Sequence, residues 1–182
     1  MFVIISSSPN ANGLTASCVE AVKVGIHEAG QHAEHIDLSK MSLERCRQCG
    51  NGWGQCRTEN TCVIPDDLGE LQRMLAIADG VIMITPVYYG EMSDSMKCAC
   101  DRIRRCQAPR SDHSILKNKP IIAIAAAGGS GNGTLSCLTL MERFIQQGHA
   151  HVQDLVAITR RNRSYKLDTI RIAAREMVST AS

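Results

Sequence analysis

Cys46, Cys49, Cys56 and Cys62 place four thiols within seventeen residues, spaced C-x2-C-x6-C-x5-C. Four thiolates suit either a tetrahedral zinc ion or a [4Fe–4S] cluster, and the alternative is a set of loop thiols that holds no metal. Residues 41–65 around them also carry three glycines and the only Trp, and read as a long loop. A second candidate is SSSPNANGLT, residues 6–15, directly after the apolar run Phe2–Ile5. Ser6, Ser8, Asn12 and Thr15 offer neutral donors, and Gly13 permits backbone shapes that other residues resist. A helix starting there adds unpaired N–H groups and a positive dipole end. The stretch either caps that helix or cradles a phosphate. It lacks the lysine of G-x-x-x-x-G-K-[ST] and the spacing G-x-G-x-x-G, so a single phosphomonoester fits better than ATP or a dinucleotide.

Two further stretches complete the chemical inventory: TPVYYGEMSDSMKCACDR, residues 85–102, and AAAGGSGNG, residues 125–133. The first would lay backbone and two aromatic faces along a planar ligand, and the second would let backbone polar groups approach a ligand edge. Of the six aromatic residues, Trp53, Tyr88 and Tyr89 fall in these loops, where stacking on a ring system would place them. Gly128–Asn132 nearly reads G-x-S-x-G but ends on Asn132, and no ordered Asp and His follow, which disfavours a serine hydrolase.

These loops need elements to hold them. The pattern predicts strands at Phe2–Ser6, Ala33–Asp37, Val81–Ile84, Pro120–Ala126 and Val152–Ile158. It predicts helices at Thr15–Ala29, Asp66–Ala78, Ser93–Cys106, Thr134–Gln147 and Leu167–Ser179, with a polar connection over 107–119. Strands apolar throughout need helices on both faces, so the expectation is an α/β, doubly wound parallel sheet in three layers. In such sheets ligands bind beyond the carboxyl ends of the strands, which selects residues 6–15, 41–65, 85–92 and 127–133.

The 182 residues suit one domain, 1–182, without repeats or a linker. A net charge of +2 gives no reason to expect a nucleic-acid partner. No apolar run reaches the ~18 residues of a membrane span, and no leader-like segment opens the chain, so a cytoplasmic protein is expected. An odd count of nine cysteines argues against a disulfide framework in that compartment. Cys98, Cys100 and Cys106 on one predicted helix read as buried thiols, as do Cys18 and Cys137. The basic groups Arg102, Arg104, Arg105, Arg110 and Arg160, Arg161, Arg163 suit either the phosphate of NADPH or a solvated face or subunit contact.

In the order and spacing of four motifs the chain resembles the flavodoxin-like NAD(P)H-dependent FMN reductases, a family that includes iron–sulfur flavoproteins. Ser7–Thr15 resembles G-S-P-R-x-N-G-N-T, with Asn10 in place of Arg and Leu14 in place of Asn. Thr85–Gly90 resembles S-P-V-Y-F-G, and Met96–Arg102 resembles L-K-x-x-x-D-R. Cys46–Asp67 resembles C-x-x-C-G-x-C-W…C-V-I-x-D-D, with Gly52 where a third Cys belongs and Cys56 four residues later. The resemblance covers about residues 1–135 and implies a five-stranded sheet of order 2-1-3-4-5, bound FMN, NAD(P)H as electron donor and a homodimer or homotetramer. It implies that Ser8, Asn12, Leu14 and Thr15 surround the FMN phosphate. Pro86, Val87, Tyr88, Tyr89 and Gly90 would follow the ribityl chain and ring. Gly128, Gly129, Ser130 and Asn132 would face the polar end of the ring. Cys46, Cys49, Cys56 and Cys62 become candidate ligands of a [4Fe–4S] cluster. Three functions stay open: a reductase passing electrons from NAD(P)H to a small-molecule or protein acceptor, a flavodoxin-type or iron–sulfur electron carrier, and a flavodoxin-like domain acting only through contacts.

Overall fold

The computed structural model describes residues 1–107 and 114–180; Arg110 and part of the expected connection over 107–119 lie outside them. The strands are β1 (Phe2–Ser6), β2 (Ala33–Asp37), β3 (Gly80–Tyr88), β4 (Glu91–Met92), β5 (Pro120–Ala127) and β6 (His151–Thr159). The helices are α1 (Leu14–Glu28), α4 (Leu68–Ile77), α5 (Asp94–Gln107), α6 (Thr134–Gln147) and α7 (Arg163–Thr180), with single turns α2 (Cys49–Gly52) and α3 (Gln55–Thr58) in the cysteine loop. Five strands run parallel in the order β2-β1-β3-β5-β6, the expected 2-1-3-4-5 order of the long strands. The short β4 turns back antiparallel on the end of β3.

Alternation along each strand sorts the core into two layers. Val3, Ile5, Val81, Met83, Ile121 and Ala123 face α4, α5 and α6. Phe2, Ile4, Ile82, Ile84, Ile122 and Ile124 face α1 and α7. All of β1 is buried, as a strand covered on both faces requires, and each fully buried aliphatic side chain contributes about 1.5–3 kcal/mol. The outer strand β2 is more exposed and more polar. No helix among the described residues is long and apolar enough to cross a membrane.

Helices α1 and α7 pack with their backbones in close contact. A Cβ on Gly25 would stand 2.1 Å from the Arg171 carbonyl oxygen, so only glycine lets the two helices approach this closely. Arg171 also donates to the Glu28 carboxylate at 2.7 Å. At the other end, Arg163 of α7 donates to Ser17 Oγ of α1 at 2.9 Å. The segment after β6 is thereby held beside the start of α1.

Candidate functional site

The sheet order reverses between β1 and β3, and the loops leaving β1, β3 and β5 meet beyond that point. They enclose a cavity of about 320 Å³, the size of a small-molecule site. Of the residues expected from sequence, Ser8, Leu14, Thr15, Pro86, Val87, Tyr88, Gly128 and Gly129 line it. Asn10, Gly13, Ala126 and Arg160 join them. Asn12, Tyr89, Gly90, Ser130 and Asn132 are outside the lining. Asn12 is exposed and its N–H donates to Asn10 Oδ1 at 3.0 Å, while the Asn132 N–H donates to Ser130 Oγ at 3.2 Å. Tyr89 and Gly90 form the two-residue turn between β3 and β4. Both have positive φ, 51° and 82°, as a type I′ turn demands. That turn sends the Tyr89 ring into solvent and leaves Tyr88 on the cleft side.

The chemistry of this cavity is anion binding at one end. No side chain caps the N-terminus of α1, and no acidic residue sits in its first turn, so its leading N–H groups and positive dipole end are open to a ligand. Arg160 adds a guanidinium on the same cavity wall. It comes from the end of β6, where the docking of α7 on α1 delivers it. A phosphate held there by backbone N–H groups, Ser8, Thr15 and one cation fits the residues present.

Beneath the cavity lies a chain of buried hydroxyls. Ser93 Oγ donates to Ser7 Oγ at 2.7 Å, Ser7 Oγ to Thr85 Oγ1 at 3.1 Å, and Thr85 Oγ1 to the Pro86 carbonyl at 3.0 Å. The Ser93 N–H also donates to Thr85 Oγ1 at 3.0 Å. Every proton in the chain has an acceptor, and the loop after β1 is thereby tied to β3 at Thr85 and to Ser93, the residue that follows β4. Thr85→Val keeps the shape and removes the acceptor for two buried donors. Stability should fall by about 1–3 kcal/mol, read as a shift in urea midpoint. An unchanged midpoint would mean that the hydroxyl chain does not hold the loops together.

The cysteine loop forms a second site, stapled at its base. The Asp66 carboxylate accepts the Glu44 N–H at 2.8 Å and the Leu68 N–H at 3.2 Å, and the Asp67 carboxylate accepts the Ser42 N–H at 2.7 Å. Arg102 of α5 meets Asp66 through both terminal nitrogens, Nη2 to Oδ1 at 2.9 Å, and also donates to the Glu44 carbonyl at 2.9 Å. These two side chains are 1% and 3% exposed, so the pair is buried. Burial alone would raise the Asp66 pKa; the bonds from Arg102 and the two backbone N–H groups outweigh it and hold the carboxyl below the usual aspartate range. Arg105 donates to the Gly52 carbonyl at 2.6 Å and stacks 4.7 Å from the centre of the Trp53 ring. On α5, Arg102 is buried and Arg105 half-buried, and both brace this loop. Trp53, a candidate to border a ring ligand, is on the cysteine loop and outside the cleft lining.

All four loop cysteines line one small pocket, together with Arg102, Arg105 and Cys106 of α5. Cys106, Cys100, Cys18 and Cys137 are buried as expected, whereas Cys98 is half-buried and donates to the Glu44 carbonyl at 2.9 Å. Burial pushes the Cys106 thiol up to about 11. Among the described residues no three His, Cys, Asp or Glu side chains are grouped closely enough to hold a single metal ion. A cluster makes a different demand, because each thiolate binds a separate iron and the sulfurs stand wider apart. One buried atom bears on the fit: Arg102 Nε has no hydrogen-bond partner. An unpaired buried donor costs about 1–3 kcal/mol, and more on a charged group, and an anionic sulfur in this pocket would satisfy it.

With both sites in view, comparison with known proteins assigns the family. Residues 1–162 match the family described as NADPH-dependent FMN reductase. The chain belongs to that family. This reductase-family chain is 34% identical over 145 residues to an iron–sulfur flavoprotein of Methanocaldococcus jannaschii, spanning 80% of this chain and 67% of that one. It is 30% identical over 160 residues to an iron–sulfur flavoprotein of Methanosarcina thermophila, spanning 85% and 74%. Among solved structures, an NAD(P)H:quinone oxidoreductase from Methanothermobacter marburgensis matches with a TM-score of 0.73 at 20% identity, over 97% of this chain and 94% of that one. The fold is flavodoxin-like, and the protein is a flavoprotein oxidoreductase of the FMN reductase family. A single phosphomonoester is the kind of anion that the open end of α1 suits, and FMN carries one.

Proposed function

We propose that this protein takes electrons from NAD(P)H through FMN bound in the β1–β3–β5 cleft and hands them to a small-molecule or protein acceptor. The observation that carries this reading is the uncapped start of α1 facing a cavity with Arg160 on its wall. FMN, when bound, would supply the hydride and electron-transfer chemistry. The residues bind and orient. The first turn of α1, Ser8, Thr15 and Arg160 hold the phosphate. Arg160 restores the positive charge that is absent at Asn10. Pro86, Val87 and Tyr88 line the path of the ribityl chain and ring. The backbone of Gly128 and Gly129 borders the ring's polar edge, where N–H groups stabilise negative charge on the reduced form.

A second reading is favoured by the cysteine pocket. There the protein also carries a [4Fe–4S] cluster on Cys46, Cys49 and Cys62 with one further thiol, and serves as an electron carrier without oxidising NAD(P)H itself. Protein purified without oxygen and loaded with FMN separates the two. Bleaching of the flavin absorption by NADPH supports the reductase; a flavin reduced by dithionite but not by NADH or NADPH supports the carrier. Protein that takes up no FMN overturns both. Arg160→Gln tests the phosphate end directly. Loss of one charge-assisted bond of about 1.5–3 kcal/mol should raise the Kd for FMN roughly 10- to 100-fold while leaving riboflavin affinity unchanged. An equal loss for both ligands would remove Arg160 from the phosphate.

A further inference from the structure

The compact cysteine pattern has its third thiol at position 52, and this chain has Gly52 there. The structure shows what stands opposite. The Gly52 carbonyl accepts from Arg105 Nη1 at 2.6 Å, so the loop at position 52 is held against the last turn of α5. The next residue of that helix is Cys106. Gly52 and Cys106 line the same pocket, and a Cβ on Gly52 would meet nothing within 4 Å. The space beside Gly52 is open, and Cys106 of α5 lines the same pocket, close enough to Cys62, Cys56 and Gln72 to interact with them.

Two features separate Cys106 from the nearer candidate in sequence, Cys56. Cys106 is fully buried on a four-turn helix whose Ala99 and Ile103 sit in the core, so its position is fixed by packing. Cys56 sits on the single turn α3, with no buried residue of its own. The second feature is Arg102, one turn before Cys106. Its terminal nitrogens are committed to Asp66 and the Glu44 carbonyl, its buried Nε makes no hydrogen bond, and Arg102 lines the same pocket with its guanidinium beside the Cys62 thiol. A cluster held by four thiolates carries net negative charge, and hydrogen bonds to its sulfurs are among the features that set its potential.

We infer that Cys106 of α5 is the ligand that replaces the missing third cysteine, so that Cys46, Cys49, Cys62 and Cys106 hold the cluster and Cys56 does not. This rests on the cluster reading given above. On it, one ligand belongs to the helix that also supplies Arg102, and the loop is closed onto α5 by the cluster and not only by the Asp66 pair.

The test is anaerobic reconstitution of the FMN-loaded full chain with ferrous iron and sulfide. Iron, acid-labile sulfide and flavin are counted per chain for wild type, Cys56→Ser, Cys106→Ser and Cys106→Ala. Wild type and Cys56→Ser are expected to take up about four irons and four sulfides each. Both Cys106 variants are expected to lose the four-iron content and its broad visible absorption while keeping flavin and a cooperative melt. Full iron in a Cys106 variant overturns the assignment and leaves the cluster reading standing. Loss of the cluster in Cys56→Ser, a half-buried position on α3 outside the core, also overturns it, and does so even if the Cys106 variants fail to fold. A wild type that takes up no iron and sulfide overturns the cluster reading and this inference together, and leaves the flavin cleft untouched.

Discussion

Asp66→Ala is expected to lower stability by about 3–5 kcal/mol and to free the cysteine loop from α5. The magnitude comes from the groups left behind. Arg102 would keep its charge at 1% exposure with no carboxylate beside it, and the Glu44 and Leu68 N–H groups would lose their acceptor. A domain of this size is stable by only about 5–15 kcal/mol, so the loss is a large share. Urea unfolding at neutral pH measures it, and limited proteolysis between residues 42 and 66 reads the release of the loop. The double variant Asp66→Leu with Arg102→Met removes both charges and should recover much of the loss, short of the two backbone bonds. A loss below about 1 kcal/mol in the single variant would contradict the buried pair, because exposed pairs contribute no more than that. The pH dependence has a fixed sign. The folded pKa of Asp66 lies below its unfolded value near ~3.9, so the stabilisation is complete above that value and disappears as pH falls through the folded one. Asp66→Asn should therefore have a flatter loss of stability below about pH 4 than the wild type.

The same pair explains where sequence reading stops. β1, β3 and β5 were legible because strands buried on both faces are apolar runs, and the helices because their apolar residues recur at helical spacing. Two-residue β4 leaves no period to read, and the I′ turn before it has Tyr89 at a position that usually favours Asn or Gly. That turn separated the fates of Tyr88 and Tyr89, which the sequence treats alike. Arg102 carries no local sign of its role, because its partner Asp66 is 36 residues away on another element. In sequence Cys106 stands with Cys98 and Cys100 of its own helix, whereas its neighbours in space, Cys56 and Cys62, are on the loop. Arg160 comes after β6, outside every recognisable motif, and reaches the cleft only because β6 lies beside β5 and α7 lies on α1. Local spacing carries elements and loops; charges and thiols that meet across the fold leave no local signature.

Gly133→Ala is the sharpest test of how the cleft is assembled. Gly133 has a φ of 80°, and a Cβ there would stand 2.7 Å from the Gly90 Cα and 3.0 Å from its nitrogen. Backbone cannot swing aside as a flexible side chain can, so either the β3–β4 turn or the start of α6 must move. Tyr88 precedes that turn and Gly128 and Gly129 precede α6, so the displacement is passed to both walls of the cleft. The left-handed conformation costs an alanine about 1–2 kcal/mol, and overpacking adds about 1–3, giving a loss of about 2–5 kcal/mol. Gly30→Ala is the matched control. Its φ is 74° and a Cβ there meets nothing within 4 Å, so it carries the conformational cost alone. The difference between the two variants in thermal or urea unfolding isolates the close approach. FMN titration should show weakened binding in Gly133→Ala and unchanged binding in Gly30→Ala. Equal destabilisation by both would mean that the two loops are not in backbone contact. Greater loss in Gly133→Ala with intact FMN affinity would mean that the contact braces the fold without shaping the cleft.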